Sequence, residues 1–169
     1  KPKVQRVFRL ALRSFNQEIR EKGVTPSTRV LDLQKTAADD IVAGKLGLKS
    51  GTDVFFLRRL RSADNKPLMI VNSFLPCGLV PGFDSYDFSK NALHILLSDT
   101  YGFDLARMVR SIEAIAAPKS EARLLQIHPG SPVQRTETTV YTETEIPIEF
   151  SLGWYRGDHS RFTIELRAE

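Results

Sequence analysis

The sequence predicts an α+β domain built on an antiparallel β-sheet with flanking helices. Three observations carry this expectation. Most β-like segments follow one another through tight turns. Helical periodicities are inserted between hairpins and do not alternate regularly with strands, which argues against a doubly wound parallel sheet. The chain of 169 residues, 41% hydrophobic and 26% charged, is long enough for one sizeable core and ordinary for a soluble domain.

The opening segment reads as an amphipathic helix over residues 4–22. Phe8, Leu12, Phe15 and Ile19 fall on one stripe, Val4 lies one turn earlier, and Arg or Gln lie opposite. Gly23 suits its stop, and Pro26 prevents continuation. A chain that starts on a charged helix is expected to be cut from something longer, with 1–5 ending a linker and 6–169 forming the domain. A strand is expected at 29–33. A short helix over Ile41–Leu46 follows, with Thr36 and Asp39 as an approximate capping box and Gly47 as its end.

Ser50-Gly51-Thr52 turns into a strand at 54–62, and Asp64-Asn65 closes a hairpin with 67–75. Pro76 and Pro81 break regular structure. The stripe of Leu93, Leu96, Leu97 and Tyr101 predicts a helix over 89–101, capped by Gly102. A strand at 108–116 precedes a short helix that starts at Pro118 and carries Leu124 and Leu125. Strands 133–142 and 147–156 are joined around 143–145, and Arg156-Gly157-Asp158 turns into a last strand at 161–166.

Composition narrows the function. The single cysteine, Cys77, permits no internal disulfide and no cysteine zinc site, and it reads as packing beside Pro76 and Gly78. No apolar run approaches a membrane span and no signal peptide is seen, so a cytoplasmic setting without membrane contact is expected. Residues 1–29 hold eight basic and two acidic residues, which leaves the remainder of a +4 chain near −2. That lead-in reads as a solvated helix face, with phosphate-backbone contact as the alternative. Nucleotide-binding glycine loops and a nucleophile elbow are missing from the sequence. His94, His128 and His159 lack metal-ligand spacing, so neither a metal nor a cofactor is expected.

The chemistry concentrates on two strands. In Phe55-Phe56-Leu57-Arg58-Arg59-Leu60-Arg61, side chains alternate, so Arg59 and Arg61 share a face with Phe55 and Leu57, roughly 7 Å apart. Two buried guanidinium groups need either carboxylates of this chain or an anionic ligand. In Ile148-Glu149-Phe150-Ser151-Leu152-Gly153-Trp154-Tyr155, the residues Glu149, Ser151, Gly153 and Tyr155 point one way and the apolar residues the other. The polar side is either a wet sheet face or part of a pocket in which the arginines hold phosphate or carboxylate. In the pocket reading, Glu149 and Tyr155 bind hydroxyl or amino groups, and the start of the 89–101 helix offers N–H donors. An Arg59–Glu149 salt bridge without ligand is the alternative.

Several segments together carry a resemblance. They are Ser14-Phe15-Asn16, Gly23-Val24-Thr25-Pro26-Ser27-Thr28, Leu46-Gly47-Leu48, Arg58-Arg59-Leu60-Arg61 with Ala63-Asp64-Asn65-Lys66-Pro67, Tyr101-Gly102, Pro147-Ile148-Glu149-Phe150-Ser151 and Tyr155-Arg156-Gly157-Asp158. In this order the chain resembles the UTRA domain, the effector-binding half of HutC-subfamily GntR-type bacterial transcription regulators. The resemblance implies a chorismate-lyase-like fold in a homodimer, with a small metabolite altering operator-DNA binding by an N-terminal winged helix-turn-helix absent from this sequence. It further implies that Arg59 and Arg61 hold a phosphate beside Phe15 and Asn16, while Glu149 and Tyr155 hold the other end of the ligand. Ser151 and His94 complete the candidate effector-binding set, and no residue is assigned a catalytic role. Where sugar-phosphate-sensing relatives carry an acid on the second hairpin strand, Val71 aligns here; where they carry Ser and Tyr at the helix start, Ala92 and His94 align.

The expected function is therefore sensing of an anionic, phosphorylated or carboxylated metabolite. A chorismate-lyase-like enzyme with Glu149 as general acid/base is the runner-up. A pure dimerisation module is the third reading.

Overall fold

A computed structural model of the chain describes residues 20–160. Most of the 4–22 helix, residues Phe15 and Asn16, and the 161–166 strand therefore lie outside the described residues. Residues 20–21 are helical, and Gly23 (φ 73°) closes on Arg20 through its N–H, which agrees with the expected stop.

Among the described residues, six strands form one fully antiparallel sheet. In chain order they are β1 (Pro26–Ala37), β2 (Asp53–Ala63), β3 (Lys66–Pro76), β4 (Leu105–Ala116), β5 (Pro132–Thr142) and β6 (Pro147–Arg156). Across the sheet the order is β1-β2-β3-β6-β5-β4. A two-residue connection closes the β2–β3 hairpin: Asp64 and Asn65 both hold positive φ (46° and 62°), the twist that a tight hairpin between right-twisted strands demands. Strand β1 is longer than expected because a bulge at Leu31 resets its register between Val30 and Asp32 and lets pairing with β2 continue.

Among the described residues, three seven-residue α-helices cover both faces. They are α1 (Asp40–Leu46), α2 (Leu93–Asp99) and α3 (Lys119–Leu125). On one face α1 buries Val42, Ala43 and Leu46 against Val54 and Phe150, and α3 buries Ala122 and Leu125 against Leu60, Ile70 and Val133. On the other, Leu93, Leu96 and Leu97 of α2 pack with Phe83 and Phe88 against Phe55, Leu57 and Leu75. That apolar layer fills one end of the α2 face; the polar residues of β2, β3, β5 and β6 occupy its remainder.

Three boundary expectations are corrected. Asp39, not Thr36, caps α1: its Oδ1 accepts from Val42 N–H at 2.8 Å, while Thr36 remains in β1. Helix α2 begins at Leu93 and not at Ser89, because Asp87 captures Ser89 N–H and the Ser89 hydroxyl in a local turn. The N–H donors expected at residue 89 are thus engaged in that turn. Pro118 is the cap before α3 and not its first residue.

Candidate functional site

Strand β2 puts neighbouring arginines on opposite faces of the sheet. Arg58 faces α3, and its Nη2 lies 3.1 Å from Glu121 Oε1; Ser120 donates to the other Glu121 oxygen. Arg59 faces α2 and is 3% exposed. Its Nη2 donates a long bond to Ser73 Oγ (3.3 Å), and its Nε and Nη1 have no hydrogen-bond partner among the described residues. A guanidinium is permanently charged, so such burial is unfavourable until an acceptor arrives.

Cross-strand register builds the rest of this face. Arg59 stands opposite Val71, which stands opposite Gly153, which stands opposite Thr136. The next row is Arg61, Met69, Tyr155 and Gln134. The row on the other side is Leu57, Ser73, Ser151 and Thr138, with Arg110 of β4 donating to Thr138 Oγ1 at 2.8 Å. A Cβ on Gly153 would lie 2.6 Å from Thr136 Oγ1 and 2.9 Å from Tyr155 Cε2, so this glycine makes room for the tyrosine ring.

A buried chain of polar groups crosses this floor. Ser73 Oγ donates to Glu149 Oε1 (2.7 Å), and His94 Nε2 of α2 lies 2.6 Å from Glu149 Oε2. Glu149 is 3% exposed and its partner Ser73 on β3 is 0% exposed, so the wet-face reading is corrected at Glu149, while Ser151 and Tyr155 are half-buried. The direct Arg59–Glu149 salt bridge does not form either; Ser73 stands between them, and the acid's close ionic partner is His94.

Electrostatics follow from burial. Desolvation lowers the Arg59 pKa against the pull of Glu149 and Tyr155. Burial first, and then the Arg59 charge, bring Arg61 down to about 9, opposed by Tyr155 and Glu149. Burial alone would raise Glu149, but His94, the Ser73 hydrogen bond and Arg59 outweigh it and hold the carboxyl at about 2. Among the described residues, Glu149 is the carboxylate that pulls on both arginines.

The structure thus brings together Arg59, Arg61, Glu149, Tyr155, Ser151 and His94 on the α2 face. His128 and His159 lie apart from them. His159 sits beside Asp158 at 3.7 Å. Cys77 packs against the α2 core, and burial pushes its thiol up, away from the nucleophilic form. Among the described residues no group of three or more His, Cys, Asp or Glu is placed to hold a metal ion. Sequence reasoning missed Ser73, Gln134, Thr136 and Arg110. Their period-2 phase was readable, but the strand pairing that puts β3 beside β6, and β5 beyond it, was not.

Comparison with known proteins places this geometry. Residues 21–161 match the UTRA domain. The chain is 26% identical over 162 residues to the HTH-type transcriptional repressor NagR of Bacillus subtilis, covering 96% of this chain and 66% of the repressor. It is also 26% identical over 171 residues to the HTH-type transcriptional regulator GgaR of Escherichia coli, covering 96% of this chain and 65% of that protein. The chain therefore spans just under two thirds of the length of these regulators. Its fold is that of the effector domain of PhnF from Mycobacterium smegmatis, with TM-score 0.85, 24% identity and coverage of 92% of this chain and 95% of the other.

Proposed function

The chain belongs to the UTRA domain family, and on that premise we propose that it senses a small anionic metabolite for a GntR-type, HutC-subfamily transcriptional regulator. One observation carries the reading: Arg59 is buried with two guanidinium nitrogens unpartnered among the described residues, beside a half-buried second arginine, Arg61. Charge-assisted bonds from guanidinium to phosphate or carboxylate supply the missing acceptors. Tyr155, Ser151, Glu149 and His94 border that anion position. Phe15 and Asn16 join them only through the resemblance.

The binding event biases a two-state equilibrium. An anion on Arg59 competes with its long bond to Ser73, and Ser73 is linked through Glu149 to His94 on α2. A ligand that prefers one setting of this chain shifts the population toward it. In the assembly we infer, two copies pair as a homodimer in the cytoplasm, residues 1–5 end a linker, and 6–169 form the sensing domain. A winged helix-turn-helix preceding the linker binds operator DNA and reads the shift as altered spacing. The relatives named above are transcriptional regulators, and we read the chain as a sensor and not as a lyase. No helix among the described residues is long and apolar enough to cross a membrane.

Calorimetric titration with inorganic phosphate and simple carboxylates tests the reading. Wild type binds at least one of these anions, and Arg59→Met and Arg61→Ala weaken that binding at least tenfold. Equal binding by all three proteins removes the arginine clamp.

A further inference from the structure

We propose that Arg110 is a second anchor of this site and that the effector carries an anionic group at each end, a reading that rests on the anion clamp at Arg59.

The other arginines at this side of the sheet are answered by acids. On β4, Arg107 meets Glu145; on β5, Arg135 meets Glu113 and Glu137. Both have the strand phase that points away from α2. Arg110 has the opposite phase and shares the α2 face with Arg59. Its hydrogen bond to Thr138 Oγ1, at 2.8 Å, uses Nε. Among the described residues, Nη1 and Nη2 have no partner and no carboxylate lies within ion-pair distance.

The bond to Thr138 sets the direction of this side chain. Strand β4 is an edge of the sheet, where an exposed arginine keeps its head in water by extending outward. Thr138, 3% exposed, instead draws Arg110 inward over β5. Arg59 does the same from the other side, reaching from β2 to Ser73 of β3. Ser73, Ser151 and Thr138 stand side by side in one cross-strand row. The two guanidinium groups therefore approach each other along that row, at hydroxyls two strand spacings apart, roughly 10 Å. Half-buried Ser151 stands between them.

An anion held by Arg59 directs the remainder of a short ligand along this row toward Arg110. A carboxylate or phosphate at that end accepts from Nη1 and Nη2 in the fork geometry that guanidinium presents to oxyanions. An alkyl end in the same place covers the guanidinium and returns no acceptor, so those donors lose water without compensation.

Matched phosphate monoesters test the proposal by calorimetric titration of the 169-residue chain. 3-Phosphooxypropanoate and 5-phosphooxypentanoate carry a far carboxylate; propyl and pentyl phosphate match them without it. At least one of the two carboxylates binds wild type about tenfold more tightly than its alkyl counterpart, the size of one charge-assisted hydrogen bond. Arg110→Gln brings that ratio to about one while inorganic phosphate still binds. Arg107→Gln removes the same charge from the opposite face and keeps the ratio, which separates contact from long-range attraction. If neither carboxylate outbinds its alkyl counterpart, or the advantage survives in Arg110→Gln, the second anchor is overturned and the clamp at Arg59 stands. Equal loss of the ratio in Arg107→Gln and Arg110→Gln overturns it too. If neither these monoesters nor inorganic phosphate binds wild type, the anion reading itself falls.

Discussion

Arg58 and Arg59 are chain neighbours on one strand, yet the sheet gives them opposite fates. Arg58 projects toward α3 and meets Glu121, itself held by Ser120. Its Nε also lacks a hydrogen-bond partner, but its charge is answered. Arg59 projects toward α2 and finds a hydroxyl at 3.3 Å and, among the described residues, no carboxylate within ion-pair distance. The first arginine ties strand to helix; the second is left with unpartnered nitrogens that we propose an anion completes. The strand's period of two separates a structural role from the proposed binding role within one dipeptide.

The comparison is most severely tested at Glu149, the acid that balances the α2 face. Replacing it with Gln removes the buried carboxylate that faces Arg59 and pairs with His94, and is expected to lower unfolding free energy by roughly 3 kcal/mol, read by urea denaturation near neutral pH. The pH dependence carries a sign. Its folded pKa is about 2 against 4.5 for an ordinary glutamate, so the stabilisation is complete above about pH 4.5 and is lost as pH falls toward 2. Wild type therefore weakens over that window more steeply than Glu149→Gln, which thermal scans between pH 2 and 6 would reveal.

Breaking the other side gives a smaller loss. Arg58→Met leaves Glu121 partly buried without its partner and is expected to destabilise by about 2 kcal/mol, with anion affinity nearly unchanged. A parallel loss of binding would mean that the two faces are coupled more strongly than their geometry implies. Smaller still, Gly153→Ala forces a methyl against Thr136 and Tyr155 and costs on the order of 1 kcal/mol. It shifts the tyrosine ring at the anion position, so its effect on phosphate affinity should exceed its effect on the melting temperature.

Much of this contrast was legible in the chain. The alternation in Phe55–Arg61 gave the faces of all three arginines, and Ile148–Tyr155 gave the inward polar row, because both are local consequences of the pleat. Asp64-Asn65 fixed the hairpin by turn chemistry alone. What was not legible depends on tertiary placement. Ser73 becomes the link between Arg59 and Glu149 only once β3 lies between β2 and β6. His94 meets Glu149 across 55 positions of sequence, from a helix that starts at Leu93, four residues later than expected. Glu121, 63 positions from Arg58, carried no sequence signal that it would answer that charge.

The central claim is that Arg59 is kept charged, buried and incompletely bonded so that an anion can complete it. Denaturation of Arg59→Met beside wild type, without anion and with added inorganic phosphate, tests this most directly. Without anion, the apolar replacement of an uncompensated buried charge is predicted to raise stability by about 1 kcal/mol, the opposite sign to Arg58→Met. Added phosphate should then stabilise wild type and leave Arg59→Met unmoved. An Arg59→Met protein that is less stable than wild type and still stabilised by phosphate to the same degree would contradict the account.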